Sequence, residues 1–411
     1  MNRSSSKIRI LALLPEFPYP PHSGATIRMW HLFKNIGKEA HLTLICRSRD
    51  RIDSVHLNRF LDEEIQVKAL HIQRPNLCQK LKKGLSFLVG MKPVTIAGWY
   101  FPDMARQIAC TIRSHDFDVI LMESSFMGVY WPVISNSQAV KALDLFDLMS
   151  ERARRQAAIM PFGREKLLFL YDSLLLGRFE NRLIKNTDLV LTISNRERNQ
   201  IKKKHMDKEV PLVPNGVDCD NIHPLPIPHQ RGILFVGTLD YQPNIDAVLF
   251  FIHGVLPPLR ERYPDLKFWV VGKNPGNEIT RHHGIEGVEV TGEVSSLEPY
   301  YLRCCVCVVP LRAGSGSRIK ILEAMAYGRP VVSTTLGCEG LEVEDLRHLF
   351  IADTPPEMVE AIERIFDGTA PVKEVIQNGR KLVEEKYSWS NIANAMHACL
   401  RESAGKSRGN C

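Results

Sequence analysis

Residues 304–341 read C-C-V-C-V-V-P-L-R-A-G-S-G-S-R-I-K-I-L-E-A-M-A-Y-G-R-P-V-V-S-T-T-L-G-C-E-G-L, an order that few folds can accommodate. The β-branched run Val306–Val309 predicts a buried strand, and Gly314 and Gly316 predict a loop after it. A helical segment then runs from about Arg318 to Tyr327, closed by Gly328, and Pro330 opens another apolar run at Val331 and Val332. Strand, glycine loop, helix and strand in this order make a parallel crossover unit, which needs helices on both faces of its sheet. Such a loop and helix N-terminus present backbone N–H groups to a phosphate. Arg318 and Lys320 stand in the first turn of that helix, against its dipole, so their placement calls for an anionic guest. Glu323, one turn after Lys320, is a fixed acceptor of the kind that bonds ribose hydroxyls.

The same alternation extends along the chain. Apolar runs at 8–14, 41–46, 117–122, 142–145 and 188–193 read as strands, with helices over 25–37, 101–114 and 164–184. A second set of strands falls at 232–236, 267–271, 288–291, 305–309, 330–334 and 349–351, with helices starting near Asn244, Leu297, Arg318 and Pro356. A chain of 411 residues exceeds one ordinary core. Five prolines at 211, 214, 224, 226 and 228 put a hinge between Val210 and Gln230. The expected organisation is a first domain over 1–210, a second over 211–388, and a terminal helix from 389 with a structureless tail reaching 411. The fold class is α/β: two doubly wound, Rossmann-like parallel-sheet domains facing a cleft, with ligands at the carboxyl ends of the strands.

Charge divides unevenly. Residues 1–200 carry 29 Lys+Arg against 19 Asp+Glu, whereas residues 201–411 carry 24 against 27, so the first half is the one suited to an anionic partner. No nucleic-acid motif accompanies the charge, and an anionic membrane surface fits better than nucleic acid. The segment 79–101 sets Lys80, Lys82 and Lys83 beside Leu85, Phe87, Leu88 and Val89, with Trp99, Tyr100 and Phe101 beyond, a mixture suited to an anionic leaflet. No stretch reaches the ~18 apolar residues of a membrane span; the run 167–176 is broken by Asp172, and the short run before Pro15 reads as a first strand rather than a signal peptide. Cys304, Cys305 and Cys307 lie in an apolar run, where strand alternation puts Cys305 and Cys307 on one face as buried structural residues, and a reducing cytoplasm is expected. The triplets Asp116-Phe117-Asp118 and Asp218-Cys219-Asp220 read as strand entry and turn rather than metal sites. No G-x-G-x-x-G follows a strand.

The segment R-I-K-I-L-E-A-M-A-Y-G-R-P-V-V-S-T resembles the donor-site segment of glycosyltransferase family 4, retaining enzymes of the GT-B fold. V-P-N-G-V-D (213–218), I-L-F-V-G-T-L-D (233–240) and F-W-V-V-G-K (268–273) extend the resemblance over roughly residues 185–345. It implies transfer of a sugar from a nucleotide diphosphate-sugar to a saccharide or lipid-linked acceptor, in surface or exopolysaccharide synthesis. The protein would be cytoplasmic or peripheral at the inner face of the plasma membrane, with no metal and no cofactor beyond the donor. It also implies that Glu323 contacts the donor ribose and that the last helix crosses back to the first domain.

Several positions depart from the family pattern. A second glutamate common eight residues before Glu323 is Ser315 here, so the hydroxyls of Ser315 and Ser317 and the N–H groups of the loop with Gly316 are assigned to the donor sugar. The Arg and Lys common after the first strand of the second domain are missing from V-G-T-L-D-Y-Q-P-N, and Arg318 and Lys320 are assigned to the diphosphate in their stead. Gly237 and Thr238 form a glycine turn for close approach of the donor, and Lys273 is placed beside the base or phosphates. In the first domain, P-P-H-S-G-A-T-I-R resembles the family's phosphate-and-acceptor loop, with Ser23 and Gly24 in the turn and His22 and Arg28 nearby. Phe146 stands where the family commonly has a histidine, leaving Asp147 or Asp144 for its positioning role; Asp147, Lys320 and Arg318 are the catalytic candidates. Two alternatives stay open at this point: an epimerase acting on the nucleotide sugar itself, and a binding scaffold without catalysis.

Overall fold

The computed structural model describes residues 7–48, 54–61, 65–71, 93–159, 162–228, 230–314 and 318–409. It divides into one unit of residues 1–214 with 392–411 and a second unit of residues 215–391. The first unit is built on strands β1 (Arg9–Leu14), β2 (His41–Ser48), β3 (Gln66–His71), β4 (Val119–Glu123), β5 (Val140–Leu145) and β6 (Leu189–Thr192). All pair in parallel, in the order β3-β2-β1-β4-β5-β6. Its helices of eight residues or more are α1 (Gly24–Glu39), α2 (Ser54–Leu61), α3 (Pro102–Ser114), α4 (Met149–Ile159), α5 (Arg164–Asn186) and α6 (Asn195–Lys202). β1 carries I-L-A-L-L with no exposed side chain, as a central strand covered on both faces requires.

The second unit repeats the design with β7 (Gly232–Val236), β8 (Lys267–Val271), β9 (Val288–Gly292), β10 (Val306–Val309), β11 (Val331–Ser333) and β12 (Phe350–Ile351). Their order is β12-β11-β10-β7-β8-β9, again all parallel. Its helices of eight residues or more are α7 (Gln242–Phe250), α8 (Ile319–Ala326), α9 (Pro355–Phe366) and α10 (Val372–Lys386), and α11 (Trp389–Gly409) carries the chain back to the first unit. α9 starts on a capping box, Thr354 with Glu357, and Pro355 at its first position, where a missing N–H is harmless. Each sheet reverses winding direction once, between β1 and β4 and between β7 and β10. Crevices for ligands open at the carboxyl ends of strands at such points.

The stretch expected as a hinge is anchored. Pro211 and Val213 bond to Thr192 of β6, so they belong to the first sheet. Beyond Asn215 the chain is tied to the second unit by two arginines. Arg329, wholly buried, donates to the carbonyls of Tyr301, Leu225 and Pro226, and Arg380 donates to those of Cys219, Ile222 and Ala326. The chain changes unit at 214–215 and again at 391–392, against expected boundaries at 210–211 and 388–389. Val217 and Ser388 pair in parallel just inside the second unit, so the two strands of the connection run side by side.

α11 runs to Gly409, which corrects the expectation of a structureless tail; residues 410 and 411 lie outside the described set. Leu400 and Ala404 are buried, and their packing overrides the weak helix propensity of the serines and glycines around them. The expected face shared by Cys305 and Cys307 is also corrected. Cys305 precedes the strand and its thiol bonds the Gln230 carbonyl, whereas Cys307 faces Cys304 with sulfurs 3.8 Å apart.

Candidate functional site

In the second unit Gly237, Thr238 and Lys320, all assigned from sequence, meet at the point of reversed winding. Gly237 follows β7, and a Cβ built on it would stand 2.9 Å from both Lys320 Nζ and Asn244 Nδ2. Gly314, in the loop after β10, has φ of 103° and faces Pro243 and the Tyr241 hydroxyl at the start of α7. Glycine is required at both places, for close approach at the first and for the left-handed backbone at the second. The loops after the two strands therefore meet, and α7 and α8 begin beside them.

Lys320 Nζ donates to Asn244 Oδ1 at 2.9 Å and lies 4.3 Å from the centre of the Phe235 ring. Asn244, almost fully buried, donates in turn to the Thr238 carbonyl at 2.8 Å. Burial, with the charge of Arg318, pulls the Lys320 ammonium down to about 7, against the attraction of Glu323. Burial likewise pushes the Glu323 carboxyl up to about 7, with Lys320 opposing. Both side chains sit deep in the unit yet keep an edge open to solvent. Burial thus brings both groups near neutrality at the point where the sheet reverses, a pairing of a kind that functional sites favour.

Arg318 is held by the backbone. It precedes α8, is buried, and donates through Nη2 to the Leu336 carbonyl at 2.7 Å, joining the helix start to the turn after β11. Lys273 follows β8, where its carbonyl accepts from Leu239 N–H. Ser315, Gly316 and Ser317 lie outside the described residues.

The first unit has its own cluster at its reversal point. Ser23 caps α1 in a capping box with Thr26, and Gly24 is the first helical residue. Arg28, one turn on, is not at the surface. It grips Asp144 at the end of β5 with two bonds of 2.9 and 3.0 Å and donates to the Pro214 carbonyl at 2.9 Å. Glu123 is in register beside Asp144, wholly buried, with no geometric hydrogen-bond partner for either oxygen among the described residues. Burial and then Asp144 push its carboxyl well above 4.5, with Arg28 opposing. One guanidinium and two carboxyls in a dry site balance when one carboxyl keeps its proton, and Glu123, which lacks the pairing Asp144 has with Arg28, is the one that burial and Asp144 favour for it.

Asp147 pairs with Arg152 at 3.5 Å, and burial raises its carboxyl. Glu197, in the first turn of α6, is pushed up to about 7 by burial and by Asp147, while its bond with Ser194 and the charge of Arg28 pull it down. His22 bonds the Pro20 carbonyl and Thr26. The sequence reading missed Asn244, Glu123 and Glu197. Nothing local distinguishes them: Asn244 gains its meaning from Lys320, 76 positions away, and Glu123 from Asp144 on the adjacent strand.

Of the segment assigned to a membrane surface, 79–92 lies outside the described residues. Trp99 is occupied within the unit, stacked on Phe126 at 4.4 Å and covered by the Arg47 guanidinium at 3.6 Å. An apolar surface appears on the first half of α5. Leu167, Leu168, Phe169, Leu170, Tyr171 and Leu174 are exposed there, after an 87% exposed Phe162. Among the described residues no helix is long and apolar enough to cross a membrane.

Comparison with known proteins bears on the family and the fold. Residues 230–368 match the family Glycosyl transferases group 1. An uncharacterized 44.6 kDa protein in the cps region of Klebsiella pneumoniae is 21% identical over 406 residues, covering 94% of this chain and 98% of its own. Among solved structures, sucrose-phosphate synthase from Thermosynechococcus elongatus superposes with a TM-score of 0.69 at 17% identity, covering 96% of this chain and 99% of its own. Anabaena HepE, in complex with UDP and glucose, gives 0.66 at 14% identity, with coverage of 96% and 99%. The chain carries a glycosyl transferases group 1 domain over residues 230–368 and has the GT-B fold of glycosyltransferases.

Proposed function

We propose that this glycosyltransferase moves a sugar, with retention and without a metal, from a nucleotide diphosphate-sugar to a saccharide or lipid-linked acceptor in surface polysaccharide synthesis. The observation that carries the reading is the meeting of Lys320, Glu323 and the Gly237 turn where the second sheet reverses. In this reading Glu323 takes the ribose hydroxyls, and Lys320 the diphosphate, with Arg318 holding the start of α8. Ser315, Gly316 and Ser317 keep their assignment to the sugar from the sequence alone, as does Lys273 to the base or phosphates. The acceptor side belongs to Ser23, Gly24 and Asp147 in the first unit. The bond from the sugar's anomeric carbon to the diphosphate breaks, the bond to the acceptor oxygen forms, and the acceptor proton passes to the departing diphosphate. A fixed ammonium beside that diphosphate favours the charge that develops on it.

Two names support the reading: the cps region of the Klebsiella relative, and the UDP and glucose bound to HepE. For a membrane as partner, the support is the exposed apolar first half of α5, with exposed Arg164 at its start and exposed Arg178 further along the same helix, a combination complementary to an anionic leaflet.

The test is a panel of UDP-, GDP-, ADP- and dTDP-sugars in thermal shift, followed by transfer assays with membrane extract in the presence of EDTA. The matching donor stabilises the fold by about 2.7 kcal/mol at a hundredfold excess over Kd. Glu323→Ala removes that shift and the transfer. A flat response to all donors sinks the proposal; product made from donor alone identifies an epimerase, and binding without turnover a scaffold.

A further inference from the structure

We propose that Asn244 is the positioning residue of the donor site: it holds the Lys320 ammonium at the carboxyl end of β7 where, among the described residues, two of its three N–H bonds are left for a diphosphate. The inference rests on the donor-site reading above and adds a residue and a pH dependence to it. An ammonium has three donors. Among the described residues Lys320 spends one, on Asn244 Oδ1; it also lies over the face of Phe235, which attracts the cation without taking up a directed N–H bond as a carboxylate or carbonyl oxygen would.

The amide of Asn244 cannot drift, because its Nδ2 is bonded to the Thr238 carbonyl in the glycine turn. The absent side chain of Gly237 leaves the ammonium its place, since a Cβ there would stand 2.9 Å from Nζ. Neutral Asn is suited to this post. It orients the lysine without cancelling the charge, whereas a carboxylate would occupy the cation and compete with phosphate. The charged groups facing Lys320 are Arg318, which opposes its charge, and Glu323, which favours it. With the ammonium near half-charged at pH 7, an arriving diphosphate draws a proton from solvent. The sign follows: donor affinity is full well below 7, as far as Lys320 is concerned, and falls as pH rises through 7. Any loss below 7 belongs to Glu323, which must be ionised to accept from ribose.

The experiment is isothermal titration of the full chain with UDP-glucose, GDP-mannose, ADP-glucose and dTDP-glucose, whose phosphates do not titrate between pH 6 and 9. Each is run in two buffers of different ionisation enthalpy, so that bound protons are counted. For the nucleotide sugar that binds, wild type takes up close to one proton at pH 8, and its affinity weakens by about tenfold per pH unit above 7. Lys320→Met abolishes the uptake. Asn244→Asp moves its midpoint to higher pH and weakens binding at pH 7, while far-UV circular dichroism and melting report an intact fold. Asn244→Ala weakens binding by about tenfold at pH 7. Binding without proton uptake in wild type, or an Asn244→Asp midpoint equal to wild type, overturns the inference and leaves the donor site standing. No binding of any of the four sugars to wild type overturns the donor-site reading itself.

Discussion

At the scale of single residues, two substitutions separate structure from function. Gly237→Ala places a methyl 2.9 Å from Lys320 Nζ, the far end of a flexible side chain, and from the Asn244 amide. The lysine yields more easily than the turn, so the expected result is a loss of donor affinity of tenfold or more, with a stability change below about 1.5 kcal/mol; titration and chemical denaturation measure the two. Arg28→Met behaves oppositely, leaving Asp144 buried without its cation, and costs about 3–5 kcal/mol of first-unit stability in denaturation. The proton on Glu123 makes a further prediction. Its folded carboxyl is raised above the ordinary 4.5, so its contribution to stability is complete below about 4.5 and is lost as pH rises towards the folded value. Relative to wild type, Glu123→Gln should gain stability at pH 7–8, and the gap should close towards pH 4.5. A gap independent of pH would mean that Glu123 is not the protonated carboxyl.

At the scale of elements, α5 is unlike its neighbours. Its second half is packed, with Leu175, Leu176, Leu183 and Ile184 buried, and Glu180 takes the Met149 and Ser150 N–H groups at the start of α4. Its first half leaves leucines bare on successive positions, with Leu168 and Leu174 at 53% and 61% exposure. Monomeric proteins rarely leave such a surface uncovered. Wild type should therefore float with vesicles containing phosphatidylglycerol and remain behind with phosphatidylcholine alone. Leu168→Glu with Leu174→Glu should abolish flotation and leave nucleotide-sugar affinity unchanged. If the double variant floats like wild type, or if sedimentation shows that it dissolves a dimer, the bilayer is not what covers this face. The strands were readable as elements because their apolar runs are local, and those of β1, β4, β6 and β10 are buried along nearly their whole length. β3 and α2 were not, since Gln66–His71 mixes polar and apolar residues at the edge of its sheet.

At the scale of the molecule, the chain builds two parallel sheets of the same winding and returns to the first unit through its last helix. Ile392, Met396 and Leu400 are buried on that return. A chain ending at Asn391 should lose at most roughly 5–9 kcal/mol of first-unit stability, at ~1.5–3 kcal/mol for each buried side chain. Calorimetry should then show the transition of the first unit lowered or missing and that of the second retained. A single transition, shifted as a whole, would mean that the helix serves both units equally.

What the amino-acid order determined alone was the alternation of strands and helices, the pair of domains, and the segment around Glu323 with its glycines and cations. These signals lie within a turn or a strand of one another, so periodicity and loop chemistry reveal them. The tertiary structure decided which side chains share a site. Asn244 and Lys320 are 76 positions apart and Arg28 and Asp144 are 116 apart; each pair meets only because the sheet reverses its winding between the strands that carry them. The balance of Lys320 and Glu323 near neutrality was decided there too, because burial and neighbouring charge set a proton's affinity, and both are properties of the packed chain.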